Sequence, residues 1–315
     1  MLRRYLLKRL VVAIPSLIIA SLIIFTLPRL LPGDAVQLML EEKAYGKDLD
    51  DLRHKLGLDR PIYIQYFTWI GQVVRGDLGE SLWTRRTVVE ELGSRLPVTL
   101  LLAAMAGTFS ILIGIPIGVL SAVRADTLRD YVARSLAILG LSIPGFWLAT
   151  LVIILPAMWW GWTPHLGFTE FRRNPTAHVL QFILPGFILG IASGAAIMRL
   201  TRAMLLEVLR QDYVRTAWSK GLRERVVVLK HSLKNAVIPV ITILGIQFAQ
   251  IFSATVIIES IFQLPGMGRF LFDAILQRDY PVIQGINLLV VSIIVLINLL
   301  VDLTYAVLDP RIRYS

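Results

Sequence analysis

Six long apolar stretches alternate with charged segments along this chain. A helix of roughly 20 apolar residues crosses the hydrocarbon core of a bilayer, which is about 30 Å thick. The hydrophobic pattern therefore predicts an all-α polytopic membrane protein with six transmembrane helices. The predicted spans are residues 10–30, 98–123, 136–160, 179–198, 236–258 and 282–308.

Composition agrees with a membrane protein and excludes several other classes. Hydrophobic residues make up 56% of the 315 residues, above the roughly 45 to 50% of ordinary soluble domains. The chain has no cysteine, so it has neither disulfides nor thiolate chemistry. Its four histidines lack the spacing of metal ligands, and we predict no metal site. The net charge of +10 is not gathered with aromatic residues into a nucleic-acid surface.

The distribution of lysine and arginine predicts the orientation. Basic residues strongly outnumber acidic ones on the side that holds both termini, whereas the two nearly balance on the other side. Cytoplasmic loops carry the excess of Lys and Arg, so we expect both termini in the cytoplasm of a prokaryotic plasma membrane. The first apolar run is long for a signal peptide and lacks a small-x-small cleavage site, so we expect it to be retained.

These observations give a predicted domain organisation. Residues 1–31 form a cytoplasmic N terminus and the first span, and residues 32–97 form an external segment. Residues 98–308 form the membrane core, which includes a cytoplasmic loop at 199–235, and residues 309–315 form a cytoplasmic tail.

The cytoplasmic loop at 199–235 has the pattern of two amphipathic helices broken at Gly221. Lys220 and Gly221 are typical of a helix end, since glycine readily adopts the left-handed conformation. The pattern predicts a firm elbow, which serves either as a headgroup anchor through its charges and Trp218 or as a docking element for a cytoplasmic partner. The apolar positions are Leu205, Leu209, Tyr213 and Ala217 in the first helix and Leu222, Val226, Leu229 and Leu233 in the second.

Motifs for catalysis are missing from the sequence. It contains no G-x-x-x-x-G-K-[ST] phosphate-binding loop, H-E-x-x-H or G-x-S-x-G, so we predict no catalytic residues and no ATP site. Glu259 and Asp302 lie near the ends of spans, where we expect both to reach water, with a proton-relay role as the less favoured alternative. Two pairs of glycines, 114 with 118 and 190 with 194, have the spacing that permits close helix packing, within the chain or with a partner.

The fifth predicted span is notably polar. Gln247, Gln250 and Ser253 lie within it, and one hypothesis is that they line a translocation pathway. The alternative is that they form hydrogen bonds between helices.

Motifs spread over the whole chain carry a resemblance to a known family. RTAWSKG resembles the cytoplasmic loop motif E-A-A-x3-G-x9-I-x-L-P of binding-protein-dependent ABC importers: Ala217, Gly221 and Leu233 match it, whereas Arg215, Thr216, His231 and Lys234 depart. The stretches LGLDRPIYIQYFTW, GDLGESL, LPVTLLL, HSLKNAVIPV, ESIFQLPGMGRFLFDAILQRDYPVIQG and VDLTYAVLDPRIR are similar to the peptide-importer branch. The chain is identified as a member of the dipeptide/oligopeptide/nickel ABC transporter permeases, of the kind that is the first permease of the pair.

This resemblance implies a type I ABC importer permease fold and a set of partners. They are a second homologous permease, two cytoplasmic ABC ATPase domains that hold ATP and Mg, an external solute-binding protein and membrane lipid. No cofactor is expected in this chain. In the family, the loop forms a coupling helix that sits on the ATPase subunit, which by resemblance places Arg215, Thr216, Ala217, Trp218 and Gly221 at that contact.

Two other functions remain open from the sequence. A proton-driven secondary transporter would act without an ATPase and would depend on Glu259 or Asp302. A membrane-anchored scaffold would carry no solute at all, and six spans make it the less favoured reading.

Overall fold

The computed structural model describes residues 2–30, 59–164 and 167–308. Residues 32–58 of the predicted external segment and the predicted tail at 309–315 lie outside these ranges, as does the side chain of Asp302. Regular structure in the described residues is helical apart from one isolated antiparallel bridge between Glu80 and Thr87. The helices are α1 (Leu2–Thr26), α2 (Ile62–Val74), α3 (Val88–Val123), α4 (Leu128–Ser142), α5 (Gly145–Trp160), α6 (Pro175–Leu180), α7 (Ile183–Leu209), α8 (Asp212–Ser219), α9 (Glu224–Val226), α10 (Leu233–Ile261), α11 (Met267–Leu276) and α12 (Tyr280–Leu308).

The all-helical prediction is confirmed for the described residues. By length and composition, five stretches among them qualify as membrane spans, or up to six if the bent pair α4–α5 counts as one. Helices α3 and α7 extend about ten residues beyond their predicted apolar runs, α3 at its N-terminal end and α7 at its C-terminal end. The five stretches are Val11–Leu30, Val88–Val123, Pro175–Leu209, Glu224–Ile261 and Tyr280–Val301.

The third predicted span, residues 136–160, is wrong as a single helix. The chain bends by 94° between α4 and α5, and Ile143 lies in an extended conformation with φ −87° and ψ 118°. Pro144 is the cause, because its ring disfavours helical geometry at the preceding residue and it has no N–H to donate to the helix. The apolar pattern runs through this break without a signal, since both sides are hydrophobic.

The chain divides into two compact units. The first consists of Met1–Pro97 and Gly266–Leu296, and the second consists of Val98–Pro265 and Ile297–Ser315. Helices α3 and α12 contribute residues to both units.

In the first unit, the turn before α3 is bonded to the turn before α12. The buried Ser81 Oγ donates a hydrogen bond to Asp279 Oδ2 at 2.5 Å, and Trp83 Nε1 donates to the carbonyl oxygen of Gln277 at 2.9 Å. Burial raises the pKa of the Asp279 carboxyl more than the Ser81 hydrogen bond lowers it. Two turns that are almost 200 residues apart in the sequence are thus held together by hydrogen bonds in this unit.

In the second unit, the predicted glycine pairs pack against their neighbours within the chain. A Cβ atom added at Gly114 of α3 would lie 2.7 Å from the carbonyl oxygen of Gly194 on α7, and one added at Gly190 of α7 would lie 2.8 Å from that of Ala106. Real Cβ atoms do not approach backbone this closely, so the two helices touch because these positions lack side chains. The glycine spacing serves contact between α3 and α7.

The expectation that Glu259 reaches water is wrong. This side chain, near the end of α10, is 0% exposed, and its Oε1 accepts a hydrogen bond of 2.6 Å from the buried Thr99 Oγ1 on α3. Sequence position near a helix end indicated exposure, but the packing of α3 against α10 covers the carboxyl group.

Candidate functional site

The helix α8 follows α7 after a two-residue break and has one buried face. Asp212 in its first turn favours this start, since a negative charge stabilises a helix N-terminus. Val214 and Ala217, three residues apart, are buried, whereas Arg215, Thr216 and Trp218 are exposed. Full burial of a valine side chain outside the bilayer contributes about 1.5 to 3 kcal/mol. Val214 and Ala217 therefore hold α8 against the body of the unit.

The surface that receives α8 is built from four elements, and its residues are buried in one cluster with Val214 and Ala217. They are Ala122 of α3, Leu205 and Val208 of α7, Val227 and Val228 of the segment after α9, and Ala236 of α10. Because a single apolar cluster joins the elements, displacement of α8 would strain its neighbours.

Gly221 ends α8 in the left-handed conformation, as predicted. Its φ is +73°, and a Cβ atom built there would meet no atom within 4 Å. Its N–H donates to the carbonyl oxygen of Trp218 at 2.9 Å. The requirement for glycine is thus one of backbone conformation and not of space.

The apolar face predicted for the second helix is wrong at Val226 and Leu229, whereas Leu222 packs against the cluster as predicted. Val227, Val228 and Ser232 are buried instead, and Leu229 is 54% exposed. Val227–Ser232 forms a π-helix, in which hydrogen bonds span five residues instead of four, so the helix face shifts relative to the ordinary period. Ser232 Oγ donates to the carbonyl oxygen of Val227 at 3.0 Å.

Tyr213 links α8 to the beginning of α10. Asn235 Nδ2 donates a hydrogen bond of 2.7 Å to Tyr213 Oη, which in turn donates a long hydrogen bond of 3.4 Å to the carbonyl oxygen of His231. The sequence pattern placed Tyr213 on the apolar face, but in the structure its hydroxyl is a bridge between two helices. The elbow is therefore fixed by apolar contacts and by hydrogen bonds.

The predicted contact residues divide between the two faces of α8. Arg215, Thr216, Trp218 and Gly221 are exposed, with Trp218 at 45%. Ala217 is 7% exposed and faces the apolar cluster, so the structure removes it from the outer surface. Its small size allows α8 to approach its own unit closely.

The polar residues of α10 that were predicted as pathway residues lie in two different environments. Gln250 and Ser253 are exposed and lie on one helix face with the exposed Ile246 and Ile257. Gln247 instead accepts a weak hydrogen bond of 3.4 Å at its Oε1 from Ser193 Oγ on α7. The structure thus places Gln250 and Ser253 on one exposed face of α10 and places Gln247 against α7.

Sequence reasoning missed a buried ionic network next to the elbow. The carboxylate of Asp130 on α4 accepts hydrogen bonds from Arg202 Nε at 2.8 Å and Nη2 at 2.7 Å. Ser121 Oγ and the backbone N–H of Asp126 also donate to it. Asp130 is fully buried. The position of Arg202 in an apolar helix is the one sequence signal that indicates an acidic partner. The sequence cannot identify that partner, because it lies 72 residues away.

Metal chemistry has no candidate in the described ranges. They contain no group of three or more His, Cys, Asp or Glu side chains that could hold a metal ion.

The fold and this site define a polytopic helical membrane protein with a rigid amphipathic element attached to its long helices. Residues 114–314 match the family described as binding-protein-dependent transport system inner membrane component. Residues 1–103 match the N-terminal family of such membrane components. The chain therefore belongs to the family of inner membrane components of binding-protein-dependent transport systems.

Curated relatives extend over the whole chain. The dipeptide transport system permease protein DppB of Escherichia coli is 40% identical over 336 residues, covering 99% of each chain. DppB of Alkalihalophilus pseudofirmus is 40% identical over 334 residues, covering 98% of this chain and 99% of that protein. An inward-facing structure of the MetNI methionine ABC transporter aligns with a TM-score of 0.56 and 18% identity, covering 70% of this chain and 97% of that chain. This last likeness shows that the fold is shared.

Proposed function

We propose that the chain is the membrane subunit of an ATP-driven importer of dipeptides or oligopeptides, or of related small solutes such as nickel complexes. The similarity to two dipeptide permeases supports the substrate class. The observation that carries the coupling role is α8, whose inner face is buried among α7 and α10 while its outer face presents Arg215, Thr216 and Trp218.

The proposed assembly contains partners that supply what this chain lacks. ATP and Mg²⁺ bind to two ABC ATPase domains, and this chain itself holds no cofactor. A second homologous permease completes the membrane pathway, and an external solute-binding protein delivers the substrate, as the family description implies for the transport system.

The proposed topology has six spans, with α4 and α5 as one bent span, and both termini in the cytoplasm. Helix α8 then lies on the cytoplasmic side, where ATPase domains are found. The excess of Lys and Arg on that side supports this orientation.

In the proposed mechanism, closure of the ATPase domains moves α8. Its apolar cluster and the Tyr213 hydrogen bonds pass the displacement to α7 and α10, and the membrane helices alternate between outward and inward access. Gln250 and Ser253, exposed on α10, are the proposed pathway residues. Packed elements transmit displacement because their interiors are close to incompressible.

The test is retention of the ATPase by the purified chain after coexpression with its partners. Truncation of a buried interface tryptophan commonly costs 2 kcal/mol or more, so Trp218→Ala is expected to weaken retention by about tenfold or more. The control is Trp160→Ala, which removes a more exposed tryptophan from the end of α5 in the same unit.

Two outcomes would reject the proposed coupling role. If no ATPase associates with the wild-type chain, the importer assignment fails. If Trp218→Ala retains the ATPase as well as Trp160→Ala does, then α8 is a headgroup anchor, which was the alternative reading of its charges.

A further inference from the structure

A cavity of about 180 Å³ lies within the first unit. Its walls come from the end of the first span, α2, the turn before α3 and the start of α12. Most of its polar lining consists of hydrogen-bond donors or amides. The residues that matter for its chemistry are Arg29, Arg60, Gln65, Trp69, Tyr280 and Gln284.

The guanidinium group of Arg29, which lines this cavity, is held in place by several contacts. Its Nε donates to Gln65 Oε1 at 3.1 Å and its Nη1 donates to the carbonyl oxygen of Phe25 at 2.7 Å. The guanidinium carbon lies 3.6 Å from the centre of the Phe25 ring. In the part of the chain that the structure describes, no acidic side chain forms an ion pair with Arg29. Half-buried charges are normally compensated, so an outside anion would complete the site.

Gln284 supplies a second, independent sign of a missing acceptor. Its side chain is 3% exposed, and its Nε2 has no hydrogen-bond partner among the described residues. Buried amide donors are satisfied in the large majority of cases. A cation and an unsatisfied amide in the wall of one cavity together favour an anionic ligand with several acceptor oxygens.

The surroundings of the cavity indicate which anion this is. Arg29 lies in the short 3-10 turn Leu27–Leu30 that follows the apolar helix α1, and the nearby Ile23, Leu27 and Leu30 are exposed. On α2, Ile62 and Phe67 are also exposed. Tryptophan and tyrosine, present here as Trp69 and Tyr280, are enriched at the level of lipid headgroups. These surroundings favour a ligand that combines an anionic group with long apolar chains.

We propose that this cavity binds the phosphate-bearing headgroup of a phospholipid whose acyl chains lie along the exposed apolar face of α1. Arg29 and Gln284 bind the phosphate oxygens, and Arg60, exposed at the rim, adds positive charge. The bound lipid would join the end of the first span to α2 and α12 within this unit.

The experiment uses the purified chain, together with whatever subunits copurify with it, in neutral detergent after removal of lipid. Thermal unfolding is followed during titration with phosphatidylglycerol, with diacylglycerol and with inorganic phosphate, and native mass spectrometry counts bound lipid. A ligand that binds the folded state raises the unfolding midpoint. Only phosphatidylglycerol is expected to do so, because it alone has both the phosphate and the acyl chains.

Variants test the residues. Since hydrogen bonds to charged groups are individually strong, Arg29→Gln is expected to weaken phosphatidylglycerol binding about tenfold. Arg75→Gln, which removes an exposed arginine of the same unit that does not line the cavity, is expected to bind normally. Arg60→Gln, at the rim, is expected to weaken binding severalfold and remains informative if Arg29→Gln does not assemble.

Four results would overturn the proposal. An equal shift with inorganic phosphate would indicate a site for free anions, and an equal shift with diacylglycerol would indicate an apolar groove without phosphate recognition. Displacement of the lipid by a dipeptide would assign the cavity to the transported solute. Equal binding by all variants would place the lipid elsewhere. None of these readouts requires transport, so they are independent of the proposed importer function.

Discussion

Arg202 of α7 donates two parallel hydrogen bonds to the buried carboxylate of Asp130 on α4. They run from Nε to Oδ1 at 2.8 Å and from Nη2 to Oδ2 at 2.7 Å. This pair lies one turn before Leu205, which belongs to the apolar cluster that seats α8. It therefore fixes α4 to the same helix that supports the proposed coupling element. Bidentate arginine–carboxylate pairs hold a defined geometry as well as a charge.

Removal of one partner from this pair is expected to destabilise the protein strongly. Arg202→Ala leaves the Asp130 carboxylate buried without its main partner, and such changes typically cost about 3 to 5 kcal/mol. Arg202→Lys keeps the charge but cannot form the bidentate pair, so we expect an intermediate loss of stability. The measurement is the unfolding midpoint of the purified assembly.

The control for this pair is Arg199→Ala, which removes an exposed arginine from the preceding turn of the same helix. We expect it to change the midpoint little. Equal losses for Arg199→Ala and Arg202→Ala would mean that charge on α7, and not the Asp130 pair, determines stability.

At Gly221 we expect the loss of stability on substitution to depend on how readily the new residue adopts a positive φ. Its φ of +73° is strained for residues with a Cβ atom, but the surrounding space is open. We therefore expect Gly221→Val to cost roughly 1 to 3 kcal/mol and to impair coupling, and Gly221→Asn to be better tolerated because asparagine adopts this conformation more readily. Substrate-stimulated ATPase activity of the assembly reports the effect. Identical behaviour of the two variants would contradict a conformational requirement.

The glycines of α3 provide a matched pair for testing helix contact. A Cβ atom at Gly114 would collide with Gly194 and Ile197, whereas one at Gly93 of the same helix would meet no atom within 4 Å. Gly114→Ala is expected to cost about 1 to 3 kcal/mol by overpacking, and Gly93→Ala to be neutral or stabilising by up to about 1 kcal/mol through helix propensity. Thermal unfolding compares them, and a loss for Gly93→Ala alone would refute the assigned contact.

Glu259 tests the proton-driven alternative. A carboxylate that relays protons must titrate, whereas one that serves structure needs only to accept hydrogen bonds such as the one from Thr99. Glu259→Gln keeps an amide oxygen that can accept this bond, so an ATP-driven importer is expected to retain uptake in proteoliposomes supplied with ATP. The control is Glu259→Leu, which removes the acceptor and is expected to lower stability. Uptake driven by a proton gradient without ATP, and lost in Glu259→Gln, would favour the secondary transporter.

The elbow illustrates what could be predicted of the site. The helix before Gly221 and the left-handed glycine were predicted because capping is local: it depends on residues a few positions apart. The buried face after Gly221 was predicted wrongly at Val226 and Leu229, because the assumed period of 3.6 residues does not hold across the π-helical segment Val227–Ser232. Whether Ala217 lies on the buried or the exposed face of α8 was likewise decided by packing.

The sequence by itself determined the class of the protein, the long apolar helices and the glycine at the end of α8, because hydrophobic period and turn chemistry act over short distances. Only the tertiary structure decided the burial of Glu259 beside Thr99 and the pairing of Asp130 with Arg202. Both depend on which helices lie side by side. Contacts between residues 72 or 160 positions apart arise from packing that no local pattern encodes.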